Sequence, residues 1–365
     1  MLATGFLAFV LIGVVQALYG PAFPVFQQRY RVGVSAVGMV VSFHFFGSMM
    51  TILASRVLLP RFGYRRVLTA AAVLLACGSL GVAVSPLWAG VLLASLLIGL
   101  GFGLFDVGMN LLFARSFGSS GAPALNLLNA MFGLGAVLGP VVVAAMPSTF
   151  WPFAITALLA LVVALLCARL EAPEPLKAPL SQGEGVSFAP ALGFALLAFL
   201  YVASEVGVAS WETSHLTPTF GEGRAAAFTS LYWAALTVGR LLVAPLSGRL
   251  APGLLVFSAS SLALLAALMT HGVAVAPYAY TLLGLAFAPI FPTALAWLQA
   301  SFPERVERLA PWVMAAANFG AVLASPLIGA MVALSSGASI PTSISALILG
   351  MLVVTAALWR HTRSP

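Results

Sequence analysis

The chain has 365 residues, 62% of them hydrophobic and 7% charged, with sixteen lysines and arginines against nine acids and a formal net charge of +7. A soluble domain carries about a quarter of its residues as charges, so this composition excludes a water-soluble globular protein. The basic balance does not indicate nucleic acid either, because the cations fall in short segments between long apolar runs.

The uncharged runs 1–28, 116–168, 250–303 and 309–359 set the scale. A span takes about 20 residues, so each run of more than fifty must hold a helical hairpin. We predict an all-α polytopic membrane protein of twelve spans. They fall near 4–26, 35–59, 67–85, 88–113, 123–146 and 149–169, then 189–213, 225–248, 252–271, 275–300, 310–334 and 340–360. The first span carries Gln16 and Tyr19 at membrane depth, and the second carries His44. The first has no basic flank and no small-residue cleavage site, so it reads as a retained helix and not as a signal peptide. Arg56, Arg61, Arg65 and Arg66 crowd the connection between the second and third spans.

The fourth span holds the feature that organises the rest. Asp106 is the sole aspartate of the chain and the sole formal charge between Val67 and Ala114. A carboxylate at the centre of a bilayer costs roughly 2.5–3.5 kcal/mol on insertion scales, so such an acid marks a functional site by default. Gly99, Gly101 and Gly103 precede it, and small residues let a neighbouring helix approach closely. Asn110 follows one turn later on the same face. If water reaches Asp106 from each side in turn, it can load a proton at one face and release it at the other. The competing readings are a structural ion pair with Arg56 or Arg115 and an unpaired structural acid.

The fifth span carries Gly133, Gly135, Gly139 and Pro140, with Asn126 and Asn129 toward one end. Residues 170–188 are polar and proline-rich, and they read as a linker between an N-terminal bundle at 1–169 and a C-terminal bundle at 189–365. In the seventh span Glu205 and Glu212 stand two turns apart, flanked by Tyr201 and Trp211. Acids beside aromatics suit a polyol: the carboxylate accepts hydroxyl hydrogen bonds while the ring covers the apolar face of a sugar. Glu212 is read as a solvated helix end. Arg240 in the eighth span reads as a cation snorkelling to the rim in preference to a solute contact, or as part of a latch. Gln16, Tyr19, His44, Asn126, Asn129 and Asn318 fit interhelical hydrogen bonding, with Gln16 and Tyr19 also candidates for solute contact. His215 and His271 read as interfacial, and Cys77 and Cys167 as small packed hydrophobes.

The second half repeats the first. Gly99-Leu-Gly-Phe-Gly103 returns as Gly284-Leu-Ala-Phe-Ala288, and Ser116-Phe117 as Ser301-Phe302, both 185 positions on. Arg56–Gly63 has a counterpart in Arg240–Gly248, and Phe132-Gly133 with Pro140 in Phe319-Gly320 with Pro326. Ordered matches at a nearly constant offset indicate a duplicated six-helix unit. Twelve cations (Arg56, Arg61, Arg65, Arg66, Arg115, Arg169, Lys177, Arg249, Arg305, Arg308, Arg360, Arg363) then fall at one face, against Arg29, Arg31 and Arg224 at the other. By the positive-inside rule both termini are cytoplasmic.

On these residues the chain resembles the major facilitator superfamily throughout its length. Arg61-Phe-Gly-Tyr-Arg-Arg66 is similar to that superfamily's basic loop signature, with Pro60 where its aspartate stands and Arg56 where its upstream glycine stands. By resemblance Arg56, Arg61, Arg65, Arg66, Arg115 and Arg240 form a conformational latch. The fifth-span glycines resemble a pattern of proton-coupled exporters, or serve close helix packing. Asp106-Val-Gly-Met-Asn110 and the segment Tyr201 to Trp211 look like the fucose/glucose/galactose–proton symporter branch. That resemblance implies a proton at Asp106 and Asn110, and a solute path along Glu205, Tyr201 and Trp211. The departure is in the first span, where the branch can carry a carboxylate and this chain offers Gln16 and Tyr19.

The histidines are scattered, and neither a Cys-x-x-Cys, a His-Glu-x-x-His, a Walker loop nor a Gly-x-Ser-x-Gly elbow occurs, so neither a metal site nor an enzyme is expected. A twofold repeat carrying single acids fits alternating access better than a channel's repeated rings. The expectation is a cofactor-free secondary transporter, monomeric among membrane lipids, that carries a small polar solute such as a hexose in symport with a coupling ion. That ion is the proton, with sodium the alternative. Export of amphipathic compounds is the competing function. Fifteen arginines against one lysine suggest a bacterial genome and hence the inner membrane.

Overall fold

The computed structural model describes residues 1–117, 121–171, 189–243, 250–335 and 339–363. Among them the chain is helical, with thirteen helices and no strand: α1 (Leu2–Tyr30), α2 (Val34–Val37), α3 (Met39–Val84), α4 (Trp88–Phe117), α5 (Gly121–Ala145), α6 (Trp151–Ala168), α7 (Ala189–Phe220), α8 (Glu222–Val243), α9 (Pro252–Met269), α10 (Ala276–Phe287), α11 (Ile290–Ser301), α12 (Val306–Leu334) and α13 (Ser339–Arg363). Most of the expected linker, with Lys177, and residues 244–248 of the repeat, with Arg249 after them, lie outside the described residues.

Eleven helical segments among the described residues are long and apolar enough to cross a membrane, and one of them holds two crossings. At about 1.5 Å per residue, the 46 residues of α3 reach far beyond a hydrocarbon core of about 30 Å. The helix breaks at Gly63, whose φ of 78° and ψ of 159° only glycine adopts without strain. The packing of α4 shows that the two arms run in opposite directions. Gly99 meets His44 and Gly103 meets Ser48, so α4 runs parallel to the first arm. Gly101 meets Ala71 and Gly108 meets Leu68, so α4 runs antiparallel to the second. The twelve expected crossings are therefore present, with the tenth divided between α10 and α11. The basic segment Arg61–Arg66 is a tight reversal with no extended loop.

The chain divides into two compact units, Met1–Val32 with Met39–Gly183, and Gly33–Gly38 with Glu184–Pro365. Each builds its interior from the same set of helix pairs. In the first, α1 packs on α5, the first arm of α3 on α4, and α3 on α6; in the second, α7 packs on α12, α8 on α10, and α9 on α13. The repeated glycine has one job in both. A Cβ at Gly99 would fall on the His44 carbonyl, and one at Gly284 on the Tyr232 carbonyl, each at the closest approach of two crossing helices. Gly135 and Gly139 lie likewise against the α1 backbone at Val10 and Val14, so this part of the fifth-span pattern serves helix packing.

Large apolar side chains such as Leu93, Leu158, Leu165, Leu192, Leu265 and Val353 stay exposed, as suits helices whose outer faces meet lipid. At one end of the first unit, Arg29 donates to Thr149 and to the Ala83 and Ser85 carbonyls, and the Tyr30 hydroxyl donates to the Ser85 carbonyl at 2.9 Å. This clamp fastens α1 to the ends of α3 and α6. The two cysteines are unbridged, Cys167 buried and Cys77 exposed, the latter contrary to the packed position expected.

Candidate functional site

In the first unit Asp106 is half-buried on α4. The Asn110 side-chain amide donates to the Asp106 backbone carbonyl at 2.7 Å and to its carboxylate Oδ1 at 3.2 Å. Asn129 on α5 donates to the Leu125 carbonyl at 2.8 Å and to Asn110 Oδ1 at 3.5 Å. A backbone carbonyl can only accept, so both amides are oriented unambiguously, and a run of N–H donors points from α5 through Asn110 to the acid. Asp106 and Asn110 thus meet as the one-turn spacing requires. The link to Asn129 needed the register of α5 on α4, which spacing along one helix does not carry.

The alternative ion pair does not form. Among the described residues the single salt bridge is Arg240–Glu205, so neither Arg56 nor Arg115 neutralises Asp106. Arg56, Arg61, Arg65, Arg66 and Arg115 are exposed, and Arg61 lies over the Phe62 ring at 5.4 Å. The latch assigned to these five has no acidic partner among the described residues. Pro60, where an acid would be needed, supplies no charge for them to meet.

The second unit handles its acid differently. Arg240 Nη2 on α8 stands 3.3 Å from Glu205 Oε1 on α7, with the side chains 33% and 11% exposed. The Tyr232 hydroxyl donates to the Glu205 backbone carbonyl at 3.2 Å and fixes α8 against α7 beside the pair. Arg240 is therefore no snorkelling rim cation. It is a counter-ion inside the unit, 35 residues from its partner, and only the facing of the seventh and eighth spans brings the two together.

Three aromatics expected along the solute path fill the interior instead. Tyr19 is 2% exposed, its hydroxyl 3.3 Å from Nδ1 of His44, which packs against Phe45 and Phe102. Tyr201 is 1% exposed, stacked on Phe291 and edge-on to Phe287. Trp211, also 1% exposed, donates its indole N–H to the Ser325 carbonyl on α12 at 3.1 Å. Large rings bury the most apolar area, and helix packing claims them first. Of the expected site residues, Gln16, Asp106, Asn110 and Arg240 are half-buried, and Glu205 keeps a small exposed fraction beside Arg240.

Two further polar residues depart from expectation. Glu212 is fully buried and not a solvated helix end, because α7 continues to Phe220 and stops at Gly221, whose φ is 78°. His215 is half-buried, with Nδ1 2.9 Å from the Tyr280 hydroxyl. Among the described residues no group of three or more histidines, cysteines and acids is placed to hold a metal.

Known proteins resemble this arrangement over nearly its whole length. A family model described as Major Facilitator Superfamily matches residues 5–306. The glucose/mannose transporter GlcP of Bacillus subtilis (strain 168) is 25% identical over 346 residues, covering 89% of this chain and 86% of that protein. The crystal structure of the nucleoside transporter NupG superposes with a TM-score of 0.79 at 14% identity, covering 100% of this chain and 98% of that one. The E. coli fucose:proton symporter FucP, in its outward conformation, gives 0.68 at 16% identity, covering 98% of each chain. At these identities the two structures speak to the fold alone.

Proposed function

The chain belongs to the major facilitator superfamily of secondary transporters, a multi-pass membrane protein, and we propose that it carries a hexose in symport with protons by alternating access. The observation that carries this reading is Asp106: a half-buried carboxylate in an apolar helix, addressed by an amide N–H and by no cation among the described residues. An acid fixed by a guanidinium holds its charge in every state. An acid held only by amides can be neutralised by a proton, and removing its charge from a low-dielectric surrounding lowers the cost of moving it between states.

The same geometry favours the proton over sodium. Sodium at Asp106 would need oxygens directed at it, whereas Asn110 turns its N–H group to the carboxylate. The hexose is suggested by likeness to a glucose/mannose transporter over most of both chains. On this reading the Glu205–Arg240 pair supplies polar contacts for a solute from within the second unit. The cationic segments lie in the cytoplasm of a bacterium with both termini, and the protein works as a monomer in the inner membrane. The competing role in export loses the support of Gly135 and Gly139, which the packing of α1 on α5 accounts for.

The test is accumulation of labelled glucose or mannose in proteoliposomes whose outside is made acidic. Concentration above the external level, abolished by a protonophore, is the expected result. Resistance of a sensitive host to amphipathic compounds, without sugar accumulation, would instead establish the exporter.

A further inference from the structure

Glu212 lies outside the mechanism described so far. It is 0% exposed on α7, and both of its carboxylate oxygens lack a hydrogen-bond partner in the structure. Arg240, on the neighbouring α8, is engaged with Glu205 two turns away. The Thr213 and Thr229 hydroxyls beside it bond each other at 2.8 Å. The ionisable groups near enough to feel its charge are two phenols, Tyr232 on α8 and Tyr280 on α10. The other elements packed on α7 offer none, since α11, residues 309–334 of α12 and residues 339–359 of α13 contain no acid, histidine, lysine or arginine.

An ionised carboxylate in such a place has no counter-charge and at best the one hydroxyl hydrogen that the Thr213–Thr229 bond leaves free, and a buried charge so poorly compensated is costly. The neutral acid fits without rearrangement. Polar groups also lead away from it toward the Phe220 end of α7. Tyr280 meets the half-buried His215 one turn further along, and the exposed His271 beyond it reaches Thr342 Oγ1 at 3.4 Å.

We propose that Glu212 is a proton-binding site of the second unit, occupied in this structure, that exchanges its proton with the Phe220 end of α7 by way of Tyr280 and His215. When Glu212 releases its proton the neutral imidazole of His215 takes one up, and the imidazolium one turn along α7 then offsets the new carboxylate, so a single proton moves and no other reactant is needed. The inference deepens the proton-coupled reading, which gives such a site its use, but its test does not depend on transport.

Infrared difference spectroscopy of the purified protein at neutral pH reads protonated carboxyl groups by their C=O stretch. Wild type should show a carboxylic-acid band that Glu212→Gln removes, Glu212→Asp displaces and Glu205→Gln leaves in place, since Glu205 is paired with Arg240. Wild type alone must show the band shifting in heavy water, which holds even if a variant folds poorly. His215→Phe should keep the band and slow that shift. A band unchanged by Glu212→Gln, or absent from wild type, overturns the site, and an unchanged exchange rate in His215→Phe overturns the route. Failure of wild type to concentrate a hexose would refute the symport reading while leaving this band where it is.

Discussion

The two six-helix units repeat their helix pairs faithfully and differ in how they treat an acid. In the first, Asp106 receives an amide from Asn110 and no cation among the described residues. In the second, Glu205 is matched by Arg240 at 3.3 Å. Packing was kept after duplication because glycines such as Gly99 and Gly284 stand where backbones touch, and no other residue fits there. Charge balance was free to diverge. One unit leaves Asp106 without a cation among the described residues, and the other pairs Glu205 with one.

The largest expected effect removes the unpaired member of that contrast. Asp106→Asn should abolish gradient-driven hexose accumulation in proteoliposomes and leave counterflow exchange intact, since the amide is permanently neutral. Breaking the fixed member should act on stability instead. Arg240→Met strands Glu205 and should cost about 3 kcal/mol, read as a lowered thermal midpoint in detergent, and the double variant with Glu205→Gln should recover most of the loss. The shared packing comes next. Gly99→Ala and Gly284→Ala should each cost roughly 1–3 kcal/mol by overpacking, whereas Gly33→Ala, with nothing within 4 Å, should stay within about 0.5 kcal/mol in the same assay. The smallest effect is Asn129→Ala, which removes one interhelical donor worth about 0.6 kcal/mol and should shift the pH dependence of uptake more than stability.

Much of this contrast was legible before any coordinates. Twelve apolar runs and a repeat at a constant offset set the architecture, and the scarcity of charge singled out Asp106. Its bond to Asn110 follows from positions one turn apart on one helix. What stayed hidden depends on register between helices. Nothing along the chain aligns Glu205 with Arg240, or Asn129 with Asn110. Tyr19, Tyr201 and Trp211 were assigned to a solute path because aromatics line sugar sites, but rings of that size are also what a helical interior takes up first. Glu212 was misread because the seventh span was ended at residue 213; α7 runs seven residues further, and that places the acid two turns inside.

Proton movement triggered by sugar tests the central claim most directly. Adding hexose to weakly buffered proteoliposomes should make the outside more alkaline with wild type and leave it unchanged with Asp106→Asn, although both exchange labelled sugar. Sugar-dependent alkalinisation that persists in Asp106→Asn would contradict the assignment of the coupling proton to the unpaired acid of the first unit.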